Sequence, residues 1–218
     1  MMRDERKVFW EGLKRTLSAA ADLILLNFLT ILCCVPVVTA GAAWVAGYQH
    51  MLRIVRHEET GFPLRSFFAD FRKGFRQATA GWLLQFACLV ILAGDYYYAV
   101  HVSVPVNRFF LVFSIVMAVG LSSVSVWLFP LMARYDNTLR GHIKNAFLMA
   151  VALLPRTFLA VFVQLAFLAP PLFFPDIIVY LGWFWVLFGF SLPMFLTAKI
   201  LTKQLSSDTK PGDEDGQD

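Results

Sequence analysis

The chain has 218 residues, of which 58% are hydrophobic and only 16% charged, with a net charge of +4. That is too few charges to coat a soluble globule of this size. A soluble all-helical protein with an outsized core is also excluded, because its helices would need a polar face.

Five stretches lack Asp, Glu, Lys and Arg altogether: Leu23–Leu52 (30 residues), Gln77–Gly94 (18), Phe109–Ala133 (25), Thr157–Pro175 (19) and Ile177–Ala198 (22). A membrane-spanning helix needs about 20 mostly apolar residues, at about 1.5 Å of rise each against a hydrocarbon core of about 30 Å. The expected fold class is therefore all-α, a polytopic membrane helix bundle forming a single integral membrane domain over residues 1–205.

The N-terminal segment carries Arg3, Arg6, Lys7, Lys14 and Arg15, and Ala40-Gly41-Ala42 imitates a signal-peptide cleavage site. The apolar stretch begins too late and runs on too far for a signal peptide, so no cleavage is expected. The middle of the first run reads Pro36-Val37-Val38-Thr39-Ala40-Gly41. Proline ends a helix and Thr39 suits the N-cap of a new one, so this run is expected to cross twice. The predicted spans are about 16–35, 40–56, 77–98, 109–133, 156–174 and 177–199.

Lys and Arg cluster in four places: the N-terminal segment, residues 53–76, residues 134–156 and the C-terminal end from Lys199. Loops rich in these residues stay in the cytoplasm. Six spans place all four clusters, and both termini, on the cytoplasmic side of a bacterial plasma membrane. Five spans with the N-terminus outside is the alternative. Tyr96, Tyr97 and Tyr98 fall at the outer end of the third span and Trp82 near its inner end, as headgroup-level anchors do.

Before the third span, Phe67, Phe68, Phe71 and Phe75 recur at helical spacing among Arg65, Arg72, Lys73 and Arg76. The pattern predicts an amphipathic cytoplasmic helix that lies on membrane lipids or docks a cytosolic partner. Ile143-Lys144-Asn145-Ala146-Phe147 matches residues 71–75 at an offset of 72, as in an internal repeat or as convergence on the same need. Pro155 separates this second amphipathic element from the fifth span, with Arg156 at the cytoplasmic interface.

Motifs for chemistry are missing from the sequence. His50, His57, His101 and His142 form no metal-ligand spacing, and His57-Glu58-Glu59 reads as a solvated loop. There is no phosphate-binding loop and no nucleophile elbow. The expectation is a non-enzyme with no cofactor and no metal. Cys33, Cys34 and Cys88 read as reduced packing residues. Of the polar groups in the runs, Asn27, Gln85 and Gln164 are expected to bond between helices, and Asp95 to sit in water. Asp22 is expected to form an ion pair with a basic residue such as Arg53. A disordered acidic tail, 206–218, sums to −4 and leaves +8 on the body. That excess belongs beside anionic headgroups, and no module is present for nucleic acid.

Asn27, the Pro36–Gly41 segment, Phe67-Phe68-Ala69-Asp70-Phe71-Arg72-Lys73-Gly74-Phe75-Arg76-Gln77-Ala78, Ala133-Arg134-Tyr135-Asp136-Asn137, Lys144-Asn145-Ala146-Phe147 and Leu154-Pro155-Arg156 together resemble the YesL-like family of bacterial membrane proteins. The resemblance covers about residues 10–200. The family pattern often has Pro after the Gly of the turn, where this chain has Ala42. The family has no assigned activity, and its genes commonly neighbour those for carbohydrate uptake transporters and polysaccharide-degrading enzymes. The resemblance thus implies an accessory role in carbohydrate uptake by an ATP-binding-cassette transporter, with its permease or ATPase subunits as partners. An autonomous transporter or channel acting as a homo-oligomer is the alternative. The candidate functional residues are Asp22, Asn27, Pro36, Thr39, Gly41, Phe67, Phe71, Phe75, Arg72, Asn145 and Arg156.

Overall fold

The computed structural model describes residues 2–56, 63–101, 107–168, 170 and 175–207. The expected acidic tail lies almost wholly outside the described residues, as does His57-Glu58-Glu59. The helices are α1 (Met2–Cys34), α2 (Ala40–Val55), α3 (Pro63–His101), α4 (Asn107–Arg134), α5 (Leu139–Ala152), α6 (Leu154–Leu168), α7 (Pro175–Phe188) and α8 (Ser191–Ser207). A single 3₁₀ turn, Val37–Thr39, joins α1 to α2. Among the described residues there is no strand.

Three segments are long and apolar enough to cross a membrane: Leu17–Cys34 of α1, α3, and Arg108–Arg134 of α4. The pairs α5–α6 and α7–α8 also qualify when joined, but they bend by 105° and 49°, so the count rises to five if each bent pair is one span. The 16 residues of α2 reach only about 24 Å, short of the hydrocarbon thickness.

That length makes sense once its surroundings are seen. Gly41, Ala42, Ala43, Val45, Ala46, Gly47, Tyr48, His50, Met51 and Leu52 of α2 are all buried. Trp44 packs edge-on against Phe129 of α4 and Phe190. A Cβ on Gly47 would lie 2.9 Å from the Met194 sulfur of α8 and 3.7 Å from the Thr30 hydroxyl of α1. One on Gly41 would lie 2.5 Å from the Ala78 carbonyl oxygen of α3 and would strike the Trp82 Cβ. Small residues let neighbouring helices approach this closely. α2 is the central helix, enclosed by protein rather than lipid.

α3 corrects one expectation. Residues 63–76 do not form a separate surface helix, because they continue into the apolar part of α3 as one 39-residue helix. Pro63 opens it, where a missing N–H costs nothing. No later proline interrupts it. α2 runs antiparallel to its first half, and α4 antiparallel to its second, with Gln77 donating to the Asn137 carbonyl (2.6 Å) and Gln85 to the Ser125 hydroxyl. Beyond Trp82 the pair is largely bare: Leu84, Ile91, Tyr97, Phe109 and Val116 are exposed. Exposed apolar surface on this scale suits hydrocarbon, not water.

The tip of the α1–α2 hairpin is tied to α3 well before the end of that helix. The Trp82 indole donates to the Val37 carbonyl at 2.7 Å. α3 then continues to His101.

The run expected as one helix over about 177–199 is two helices, broken at Gly189 and Phe190. A proposed repeat between residues 71–78 and 143–150 is likewise not matched in the backbone. Ala78 and Ala150 are both buried, but α3 is continuous there whereas α5 stops at Ala152 and the chain turns sharply into α6.

Candidate functional site

Two places hold the candidate residues: a set of polar clamps inside the bundle, and a basic face on α3.

Asn27 is fully buried on α1 (0% exposed) and sits at the α7–α8 break. Its amide nitrogen donates to the Trp185 carbonyl at 3.1 Å and the Val186 carbonyl at 2.7 Å. Its amide oxygen accepts from Phe190 N–H at 2.8 Å and Ser191 N–H at 3.0 Å. A helix end leaves carbonyls and N–H groups without partners, and in a membrane each must find one inside the protein. One carboxamide here supplies both donors and both acceptor sites that the break requires. Gly189 belongs to the same joint, since a Cβ there would lie 2.6 Å from the Trp185 carbonyl oxygen.

Thr157 does the equivalent work at the α5–α6 bend. Its hydroxyl accepts from the Trp127 indole at 2.9 Å and lies 3.1 Å from the Ala150 carbonyl and 3.0 Å from that of Leu153. Arg156 beside it is half-buried, and its Nη1 has no hydrogen-bond partner among the described residues.

The α1–α2 turn follows the predicted break, with one correction. Pro36 leads into the 3₁₀ turn and Thr39 occupies the N-cap position of α2, but its side chain caps nothing there. The Thr39 hydroxyl instead donates backwards to the Cys33 carbonyl (2.5 Å) and lies 2.8 Å from that of Pro36. It closes the end of α1 rather than opening α2. Gly41 is helical, and its lack of a side chain serves the contact with Ala78 and Trp82.

Arg53 pairs with Asp70 of α3, not with Asp22. Nη1 reaches Oδ2 at 2.7 Å and Nη2 reaches Oδ1 at 3.1 Å. His50 and Ser66 lie one turn away, with His50 Nδ1 3.5 Å from the Ser66 hydroxyl. Asp22 is half-buried and makes no ion pair among the described residues. Gln164 does bond between helices, donating to the Tyr48 hydroxyl at 2.8 Å.

The aromatic residues of α3 divide between two directions. Phe67 is fully buried and Phe71 and Phe75 are half-buried, all in contact with the core. These three therefore hold α3 to the bundle, because positions four apart lie on one helix face and that face meets α2. Phe68 is 45% exposed, and Arg65, Ala69, Arg72 and Arg76 are exposed beside it. An open groove of about 650 Å³ is lined by Phe68, Ala69, Phe71, Arg72, Phe75 and Arg76. Asn145 is exposed on α5, away from these groups in sequence.

Among the described residues no three His, Cys, Asp or Glu side chains converge as a metal site. Asp70, Thr157, Trp127 and the Gly189 joint were not singled out from the sequence. Gly189 followed by Ser191 and Pro193 is a helix stop and restart signal that would have located the break.

A family model described as "Protein of unknown function, DUF624" matches residues 23–96. The matched stretch takes in Asn27, the Pro36–Gly41 segment, the Arg53–Asp70 pair and the basic face of α3. No curated protein and no solved structure matches the chain.

Proposed function

We propose that this chain is a non-catalytic, multi-pass protein of the bacterial plasma membrane, of the YesL-like family, that acts as an accessory to carbohydrate uptake by an ATP-binding-cassette transporter. Six segments enter the membrane in this reading: α1 and α2 as a hairpin, then α3, α4, α6 and the α7–α8 pair. The hairpin returns the chain to the side it left, so both termini and the basic clusters are cytoplasmic. The sugar association rests on the family resemblance.

The observation that carries the accessory role is the exposed Arg65, Phe68, Arg72 and Arg76 surface on the cytoplasmic half of α3. An aromatic set in a basic rim is the composition of a protein-docking surface. A permease or ATPase subunit is the expected occupant.

The bends at α5–α6 and α7–α8 favour a second reading, an autonomous transporter working as an oligomer, because broken helices build substrate sites in many transporters. In those sites the freed backbone groups face the substrate. Here Asn27 and Thr157 already occupy many of them, which supports a structural role for the breaks.

Gentle detergent purification of the tagged chain from its host, with mass spectrometry of what accompanies it, tests the proposal. Stoichiometric recovery of a sugar permease or its ATPase supports it. A clean homo-oligomer that moves solute in proteoliposomes overturns it.

A further inference from the structure

α5 has an exposed face that changes character along its length. Arg140, Lys144, Phe147 and Val151 follow at steps of four, three and four residues, so they form one stripe down the helix, with Leu148 beside it. All five are exposed. The opposite face, with His142, Ala146 and Ala150, is buried, and α5 packs along α4.

α4 fixes the direction of that stripe. Its apolar segment ends at Arg134, and after residues 135–138 the chain starts back as α5. Thr157 ties the far end of α5 to the interior of α4, with its hydroxyl 3.1 Å from the Ala150 carbonyl and 2.9 Å from the Trp127 indole nitrogen. Trp127 is seven residues before Arg134, or about 10 Å further along the helix. Arg140 and Lys144 therefore lie near the end of the apolar segment of α4. Phe147, Leu148 and Val151 lie progressively further along it.

No carboxylate balances the two cations. From Asn137 to Pro175 the sequence has no Asp or Glu, and Asp136 just before faces Lys73 of α3 at 3.6 Å. Among the described residues neither Arg140 nor Lys144 pairs with a carboxylate. Helical side chains four apart have Cβ atoms about 5–6 Å apart, close enough for a guanidinium and an ammonium to share one phosphate. A free phosphate would leave the apolar half of the stripe unused. A molecule that is anionic at one end and apolar along the rest matches all of it.

We propose that the Arg140–Lys144–Phe147–Val151 stripe of α5 binds an anionic phospholipid, with its phosphodiester between Arg140 and Lys144 and an acyl chain along Phe147, Leu148 and Val151. Basic groups at the membrane boundary favour anionic headgroups, and the apolar residues beyond them select a lipid. The site rests on the membrane part of the proposed function and not on the accessory role.

The test uses the purified full-length chain in detergent, titrated with phosphatidylglycerol or phosphatidylcholine and read by native mass spectrometry. Phosphatidylglycerol is expected to be retained under conditions that strip phosphatidylcholine. Arg140→Gln with Lys144→Gln is expected to lower that retention several-fold, and Phe147→Ser with Val151→Ser to lower it as well. Arg108→Gln with Lys199→Gln removes the same charge elsewhere and is expected to leave it unchanged. Thermal unfolding of the same samples checks that each variant is folded. Equal retention of the two lipids, retention unaffected by the Arg140 and Lys144 changes, or an equal loss in the Arg108 and Lys199 control overturns the proposal. Resistance of the chain to alkaline carbonate extraction from membranes checks the membrane reading on its own, and no arm needs a transporter subunit, so the readings fail separately.

Discussion

Arg53 and Asp70 meet through two parallel hydrogen bonds that join the central helix to the first half of α3. The fork of a guanidinium matches the two oxygens of a carboxylate, which fixes orientation as well as distance. The Asp70 side chain is only 11% exposed, whereas that of Arg53 is 32% exposed. The pair therefore matters most for what it neutralises.

Arg53→Met leaves a mostly buried carboxylate without its partner. The expected loss is about 2 kcal/mol, below the range for a fully buried pair because water reaches the arginine. The double variant Arg53→Met with Asp70→Leu is expected to recover most of it. Denaturant unfolding in detergent micelles checks both, and a single variant as stable as the parent removes the pair from the account.

Asn27→Leu strips the α7–α8 joint of four hydrogen bonds at once. Each orphaned buried group costs about 1–3 kcal/mol, so even with relaxation the loss is expected to exceed about 3 kcal/mol. Asn27→Asp is expected to fail as well, because a carboxylate has no hydrogen to give the Trp185 and Val186 carbonyls. Limited proteolysis near Gly189 reads the opening of the joint, and unchanged cleavage in both variants counts against the clamp.

Phe67 and Phe68 are neighbours with opposite roles. Phe67→Ala is expected to cost about 3–5 kcal/mol as a core truncation. Phe68→Ala is expected to alter stability by less than about 1 kcal/mol yet to reduce recovery of a co-purifying subunit several-fold. Thermal unfolding and pull-down on the same samples separate the two effects. Equal behaviour of the two variants contradicts this division of the helix.

Because Trp82 holds the α1–α2 tip short of the far end of α3, Val38→Cys is expected to resist an impermeant maleimide added to whole cells. His101→Cys is expected to react readily. Fast labelling at both positions means that the hairpin crosses the bilayer completely.

Much of the architecture was legible because membrane insertion depends on run length and charge, which a sequence displays directly. The uncharged runs located the apolar helices, and Pro36 located the break between α1 and α2. What was not legible depended on register between helices. Asp22 and Asp70 are both isolated acids near apolar runs, and only the packing of α2 on α3 selects Asp70 for Arg53. Phe67 and Phe68 carry the same chemistry, and a rotation of one residue about the helix axis decides which is core. The Gly189 joint was overlooked because 22 uncharged residues already satisfied the length of a span.

Asn27 also sets a schedule for biogenesis. Its four partners lie 158 to 164 residues later in the chain, roughly 10–30 s of synthesis at about 5–20 residues per second. During that interval α1 holds a polar amide with no partner and α2 lacks the Met194 side of its cover, so neither is yet fit to face lipid alone. Synthesis of α8 thus completes the packing of α1, and ribosome-stalled chains ending before Ser191 are predicted to stay protease-sensitive and bound to the insertion machinery.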